Sequence, residues 1–118
     1  MKALGIGCRR GVSLEELEQA LSVFLPKGLA EVSIIASCDV KAKEQSLLEF
    51  ARNHGKSLLF FSAAELDAIH VPNPSEKVKA QVGTASVCEA AAILASGGVL
   101  LLEKRAFNGV TLALAERN

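Results

Sequence analysis

A glycine-rich turn with two adjacent arginines is the part of this sequence best suited to binding an anion. Residues 5–11 read Gly-Ile-Gly-Cys-Arg-Arg-Gly, and they lie between an apolar segment and a helix that opens at Ser13. Such a turn exposes backbone N–H groups at the positive end of the helix dipole, and guanidinium groups pair with carboxylate or phosphate. The alternative is a tight turn with solvated arginines. The predicted ligand-binding residues here are Gly5, Gly7, Arg9, Arg10 and Gly11.

A second set of polar residues follows the second predicted strand. Ser37, Asp39 and Lys41 lie where that strand ends. Ser37 and Lys41 are predicted to contact a ligand, and Asp39 is the candidate general base if it is partly desolvated. The alternative is that Asp39 and Lys41 cap and solubilise the helix that follows.

A third loop precedes an alanine-rich helix. Gly83, Thr84 and Ser86 form a second candidate anion site, because a helix N-terminus presents free N–H groups. Helix capping alone explains Ser86, so the Thr84 hydroxyl is the freer group.

The cysteines and histidines indicate no metal site. Cys8, Cys38 and Cys88 are odd in number and form no Cys-x-x-Cys pair, so free thiols and a cytoplasmic location are expected. Cys8 and Cys38 both end strands and are expected to be small buried thiols. His54 at a helix end is expected to be structural, and His70 in a proline-rich loop is the better acid–base candidate.

The elements that position these residues alternate between strand and helix. Ser13 and Ser62 each open a capping box, and Asn108-Gly109 is a strong hairpin signal. The predicted strands are 2–6, 31–37, 57–61, 99–107 and 110–116. Five helices are predicted: one that begins after Ser13, one that ends at His54, and three at 62–68, 75–83 and 86–96.

This order predicts an α/β fold, a three-layer α/β/α sandwich with a mainly parallel sheet and a C-terminal antiparallel hairpin. In such folds the helix N-termini gather at the carboxyl edge of the strands, where ligands bind. The three loops described above are therefore expected to converge on one edge of the sheet.

Composition excludes several classes of function. The 118 residues indicate one domain, residues 1–118, and 13 basic and 13 acidic side chains cancel. With no Trp or Tyr and no excess positive charge, the chain is not expected to bind nucleic acid. No signal peptide or membrane span is expected, and neither a dinucleotide fingerprint nor a Walker loop is present, so no cofactor is predicted.

Five segments together resemble the cobalamin-biosynthesis family that contains CobE and the C-terminal domain of CbiG, the cobalt-precorrin-5A hydrolase. The most specific are Val-Pro-Asn-Pro-Ser at 71–75 and Val-Gly-Thr-Ala-Ser-Val-Cys-Glu-Ala-Ala at 82–91, which follow the motif at 5–11. The other two are 36–41 and 61–66. The resemblance spans residues 3 to about 115, and the family commonly lacks cysteine at the positions of Cys38 and Cys88.

The resemblance implies a role in building the corrin ring. Longer family members open a lactone on the macrocycle and release acetaldehyde; the partners implied here are a tetrapyrrole intermediate and other enzymes of cobalamin synthesis. Arginines and helix N-termini would engage the carboxylate rim of the macrocycle, while Ile6 and Val71 would face the ring. A non-catalytic tetrapyrrole carrier is the first alternative, and a small phosphate- or nucleotide-binding module is the second.

Overall fold

A five-stranded sheet with helices on both faces forms the framework of the molecule. The computed structural model describes residues 1–72 and 87–118. Within those residues, the elements in chain order are β1 (Lys2–Cys8), α1 (Leu14–Phe24), β2 (Val32–Cys38), a 3-10 turn (Asp39–Lys41), α2 (Gln45–Asn53), β3 (Ser57–Phe61), α3 (Ala63–Asp67), α4 (Val87–Ser96), β4 (Val99–Phe107) and β5 (Val110–Glu116).

The strand order across the sheet is β3-β2-β1-β5-β4. The pairs β1–β2 and β2–β3 are parallel, whereas β1–β5 and β4–β5 are antiparallel. The α/β class is confirmed, but the sheet is mixed rather than mainly parallel. The reason is that β5 inserts between β1 and β4, so the antiparallel strand lies inside the sheet.

Alternating residues of β1 face two separate cores. Leu4 and Ile6 are fully buried with α1 and α2 residues such as Leu17 and Phe50. The opposite face packs against α4, where Ala90 and Ala91 belong to a second buried cluster. Two cores on one sheet give the predicted three layers.

Gly5 is the point where α4 comes closest to the sheet. A Cβ built on Gly5 would overlap the Cys88 carbonyl oxygen and lie 2.9 Å from the amide nitrogen of Ala92. Only glycine leaves room for the helix backbone here, and the alanines of α4 keep that helix thin. The strand–helix contact therefore depends on a missing side chain.

Local sequence signals predicted several boundaries correctly. Ser13 and Ser62 both form complete capping boxes, and the Asn108-Gly109 turn has φ of 53° and 87°, as a tight hairpin requires. The predicted helix 75–83 and the cap at Ser86 lie outside the described residues. Among the residues that are described, no helix has the length and apolar character needed to cross a membrane.

Candidate functional site

The carboxyl ends of the three parallel strands lie on one edge of the sheet, which we call the carboxyl edge. The residues after β1 and β2 lie there, and so does the β4–β5 turn, because Cys8 pairs with Val110. The first residue of α4 lies at the same edge, since the Val87 Cβ is 3.7 Å from the Cβ position of Gly7. The described loops thus converge as predicted; Gly83, Thr84 and Ser86 lie outside the described residues, and their binding role stays a prediction.

The glycine-rich motif is divided between strand and turn. Gly7 and Cys8 belong to β1, two residues beyond the predicted end of that strand, and they pair with Thr111 and Val110. Gly5 is buried under α4, so its small size is accounted for by helix packing. Gly11 is exposed with φ of 78°, a left-handed conformation that suits glycine.

Among the described residues, Arg9 makes three contacts through its guanidinium group and its backbone N–H. Its Nη1 donates to the carbonyl oxygen of Asn108 at 2.7 Å, and its Nη2 forms an ion pair with Glu16. Its backbone N–H donates to the carbonyl oxygen of Gly109 at 3.1 Å. The hydrogen bond from Arg9, followed by the backbone N–H of Ser13, lowers the pKa of Glu16 to about 2. Glu16 therefore stays charged and holds Arg9 throughout the physiological range.

Arg10 differs from its neighbour. Its side chain is exposed and forms neither a hydrogen bond nor an ion pair with any other residue in 1–72 or 87–118. The backbone N–H of Val12 donates to the carbonyl oxygen of Arg9 at 3.3 Å, so Arg10 and Gly11 occupy the middle of a turn. Arg10 is the arginine of the pair that is available to a ligand.

Ser37 is fully buried, and its Oγ donates to the carbonyl oxygen of Ile6 at 2.6 Å. This hydrogen bond ties β2 to β1 and accounts for the hydroxyl without a ligand, because the one donor that a serine hydroxyl has is in use. Ile6 itself is fully buried among α1 and α2 residues, so the expectation that it faces a macrocycle is wrong.

Asp39 and Lys41 lie in the 3-10 turn that follows β2. Asp39 is exposed, so the desolvation that a general base would need is absent in this structure. Lys41 is half-buried and lies close enough to Cys8 to act on its thiol. Lys41 therefore stands beside the end of β1, as the converging loops predict, and its ligand role stays a prediction.

The Cys8 and Cys38 thiols are poor nucleophiles in this setting. Burial raises the pKa of the Cys8 thiol, and the neighbouring Lys41 opposes this effect only in part. Burial also raises the pKa of Cys38. The two side chains pack in different cores on opposite faces of the sheet, so they do not face one another.

The two histidines have different surroundings. His54 Nε2 is 2.8 Å from Oε1 of Glu18, which joins α2 to α1, and its ring packs 4.8 Å from that of Phe50. The structural role expected for His54 is confirmed. His70 is exposed in the loop after α3.

Glu89 is a buried acid that was not among the residues predicted to form the site. It is fully buried in the first turn of α4, and its Oε2 accepts a hydrogen bond from the backbone N–H of Lys104 at 2.9 Å. Lys104 lies at an irregularity in β4, between Leu102 and Arg105. The available signal was a single carboxylate within the apolar run 87–102.

Two cavities among the described residues are too small or too distant to enclose a macrocycle at this edge. One, of about 140 Å³, lies behind the Arg9–Glu16 pair and is lined by Gln19, Val23 and Phe107. The other, of about 300 Å³, lies at the amino end of β1 beside Lys2 and Pro26. Neither cavity is lined by Arg10 or Lys41.

A three-layer α/β domain with an arginine-bearing loop cluster at its carboxyl edge is the class that fold and site define. The model of the family described as "Cobalamin synthesis G C-terminus" matches residues 2–115. The chain belongs to this family and is a cobalamin-biosynthesis protein.

Two curated relatives and one crystal structure are similar to this chain. Protein CobE from Sinorhizobium sp is 35% identical over 122 residues, covering 95% of this chain and 77% of that protein. Cobalt-precorrin-5A hydrolase from Priestia megaterium is 33% identical over 117 residues, covering 96% of this chain but 31% of the hydrolase. A crystal structure of CobE, from the cobalamin (vitamin B12) biosynthetic pathway, has a TM-score of 0.87 at 33% identity and covers 100% of this chain and 91% of that one.

Proposed function

We propose that this chain binds a carboxylate-rimmed tetrapyrrole intermediate of corrin synthesis at the carboxyl edge of its sheet. The observation that supports this most strongly is Arg10, an exposed guanidinium on a turn that is anchored at both ends. Lys41 adds a second cation beside the end of β1. Family membership supplies the ligand class, because the relatives are named for cobalamin synthesis and for a cobalt-precorrin.

The cations at the edge suit an anionic ligand. Corrin precursors are broad apolar macrocycles with acetate and propionate side chains, so these cations are suited to pair with their carboxylate rim. Each shielded charge-assisted hydrogen bond contributes about 1.5–3 kcal/mol. Half-buried Val71, which packs against the α4-side core, offers an apolar contact nearby.

Binding without independent catalysis is the version that the described residues favour. Asp39 is exposed, burial raises the pKa of the Cys8 and Cys38 thiols, and the contact from Cys38 Sγ to Asp39 Oδ1 is long, at 3.8 Å. The chain spans about a third of the Priestia hydrolase, so the activity of the longer protein is a separate proposal. The protein in our proposal presents or protects the intermediate for neighbouring enzymes.

Titration with matched corrinoids tests the binding proposal. A corrinoid whose side-chain carboxylates are free is compared with the same corrinoid after amidation, with binding followed by visible absorbance. We expect the free acid to bind at least about tenfold more tightly, which corresponds to one lost contact of about 1.4 kcal/mol. ATP and NAD serve as control ligands; tight binding of either, with no binding of the corrinoid, would overturn the proposal.

The hydrolase version is favoured by one observation, the 33% identity to the Priestia hydrolase over 96% of this chain. Its test is incubation of the purified protein with the lactone intermediate, followed by an assay for acetaldehyde. We expect binding without product. Acetaldehyde formed in proportion to the protein would establish the domain as a catalyst in its own right.

A further inference from the structure

The two adjacent arginines have different surroundings, and this difference separates their roles. Arg9 is held by Glu16, Asn108 and Gly109, which belong to α1 and to the β4–β5 turn. We call these contacts the Arg9 clamp. It joins the end of β1 to the start of α1, seven residues away, and to the hairpin turn, 99 residues away.

The clamp has a fixed shape as well as fixed charges. A Cβ built on Gly109 would lie 3.1 Å from Cδ and 3.4 Å from Cζ of Arg9, so the arginine lies directly across the glycine. Glu16 is itself fixed, because its Oε1 accepts from the backbone N–H of Ser13 at 3.0 Å while Oε2 holds Arg9. Arg9 therefore has one guanidinium donor on the Asn108 carbonyl oxygen and another on a carboxylate that is itself held in place.

Arg10 occupies the exposed middle of the turn that Arg9 anchors. The far side of that turn is anchored by Val12, which is buried and whose N–H donates to the Arg9 carbonyl oxygen. Because the turn is fixed at both sides, its backbone loses little conformational entropy when Arg10 binds an anion. An unclamped turn would have to be ordered by the ligand.

We propose that Arg9 is a positioning residue that fixes the turn 9–12, and that Arg10 is the cation that contacts the ligand and selects for carboxylates. The assignment of Arg10 rests on the proposed function. The competing model has the ligand displace Glu16 and bind Arg9 directly. The two models predict opposite effects of removing the Glu16 charge.

The first experiment compares Glu16→Gln with Glu15→Gln. Both substitutions remove one negative charge from the first turn of α1, but Glu15 hydrogen-bonds only to Gln19 among the described residues. We expect the Kd of E16Q for the free-acid corrinoid to be at least about threefold higher than that of E15Q, because the clamp is loosened. Tighter binding by E16Q than by E15Q would show that Arg9 itself receives the ligand and would overturn the proposal.

The second experiment replaces Arg9 and Arg10 one at a time. It therefore does not assume in advance which of the two arginines the ligand contacts. Arg9→Lys keeps the charge but not the two-pronged geometry, so we expect weaker binding and faster amide exchange at residues 9–12. Arg10→Gln should weaken binding about tenfold and reduce its salt dependence, with amide exchange unchanged. Arg52→Gln, an exposed arginine in the last turn of α2, is the control and should change neither.

Failure of this inference is distinguishable from failure of the proposed function. If the wild-type protein does not bind the free-acid corrinoid, the proposed function and the role of Arg10 are both refuted. The amide exchange of R9K still decides whether Arg9 fixes the turn, because that measurement uses no ligand. Wild-type exchange rates in R9K would overturn the positioning role.

Discussion

At the scale of single residues, the site depends on which polar groups are already satisfied within the molecule. Arg9 and Ser37 have the residue types expected of a binding site, yet both donate to backbone carbonyl oxygens of neighbouring strands or turns. Arg10 has the same chemistry as Arg9 and is free of such contacts among the described residues. A residue type shows what a side chain can bind, whereas its surroundings show whether it is available.

The Arg9–Glu16 pair predicts a specific dependence of stability on pH. The folded pKa of Glu16 lies at about 2, below its ordinary value of 4.5, so its contribution is fully present above pH 4.5. That contribution is lost as the pH falls from about 4.5 towards 2, because the carboxyl group must then be protonated in the folded state as well. We expect the difference in free energy of unfolding between wild type and E16Q to shrink over this window.

Urea unfolding at pH 7, 4 and 2.5 measures this difference directly. E15Q is the matched control, because Glu15 does not contact Arg9. The difference in free energy of unfolding between wild type and E15Q should therefore change much less with pH. A wild-type minus E16Q difference that is constant down to pH 2.5 would show that the ion pair does not stabilise the fold.

At the scale of elements, the packing of α4 on β1 is the contact that most constrains the sequence. The Gly5 position admits no side chain because the nearest atoms are the backbone of Cys88 and Ala92, which cannot rotate away. Gly7, two residues later on the same face, has the Thr111 hydroxyl as the only described group within 3.5 Å of its Cβ position. Two glycines of one motif therefore tolerate substitution very differently.

Gly5→Ala is expected to destabilise the protein by about 2–3 kcal/mol, because α4 must move off the sheet to admit the methyl group. Gly7→Ala is the control and should cost less than about 1 kcal/mol, since the Thr111 side chain can change rotamer. Urea denaturation of both variants gives the two values. Equal costs at the two positions would mean that α4 does not pack as closely on β1 as described.

Element boundaries were predictable from the sequence to the extent that they depend on neighbouring residues. The Ser13 and Ser62 capping boxes and the Asn108-Gly109 turn are made by side chains and backbone groups three or fewer residues apart. β1 extends two residues beyond its predicted end, because Gly7 and Cys8 become part of the strand only by pairing with β5. The Arg9 clamp was not predictable for the same reason, because it depends on the hairpin turn, 99 residues from Arg9 in the chain, lying beside the end of β1.

At the scale of the whole molecule, β5 joins the parallel half of the sheet to its edge. Seven residues of β1, Lys2 to Cys8, pair with β5, and β4 has β5 as its partner. The strand also supplies both cores, with Val110, Leu112 and Leu114 on the α1 side and Ala113 and Ala115 on the α4 side. β5 is thus an interior strand of the sheet, and β4 joins the parallel strands only through it.

This arrangement predicts that a chain ending at Asn108 does not fold. Burial of each large apolar side chain of β5 contributes about 1.5–3 kcal/mol, and losing three of them approaches the whole stability of a small domain, about 5–15 kcal/mol. Removal of β5 also leaves one side of β1 without hydrogen-bond partners. We expect the shortened chain to show no cooperative thermal transition by far-UV circular dichroism, whereas deletion of exposed Asn118 alone leaves the transition intact. A cooperative transition in the shortened chain would instead establish β1 to β3 with α1 and α2 as an independently stable unit, and β5 would then be an addition to a sheet that is already formed.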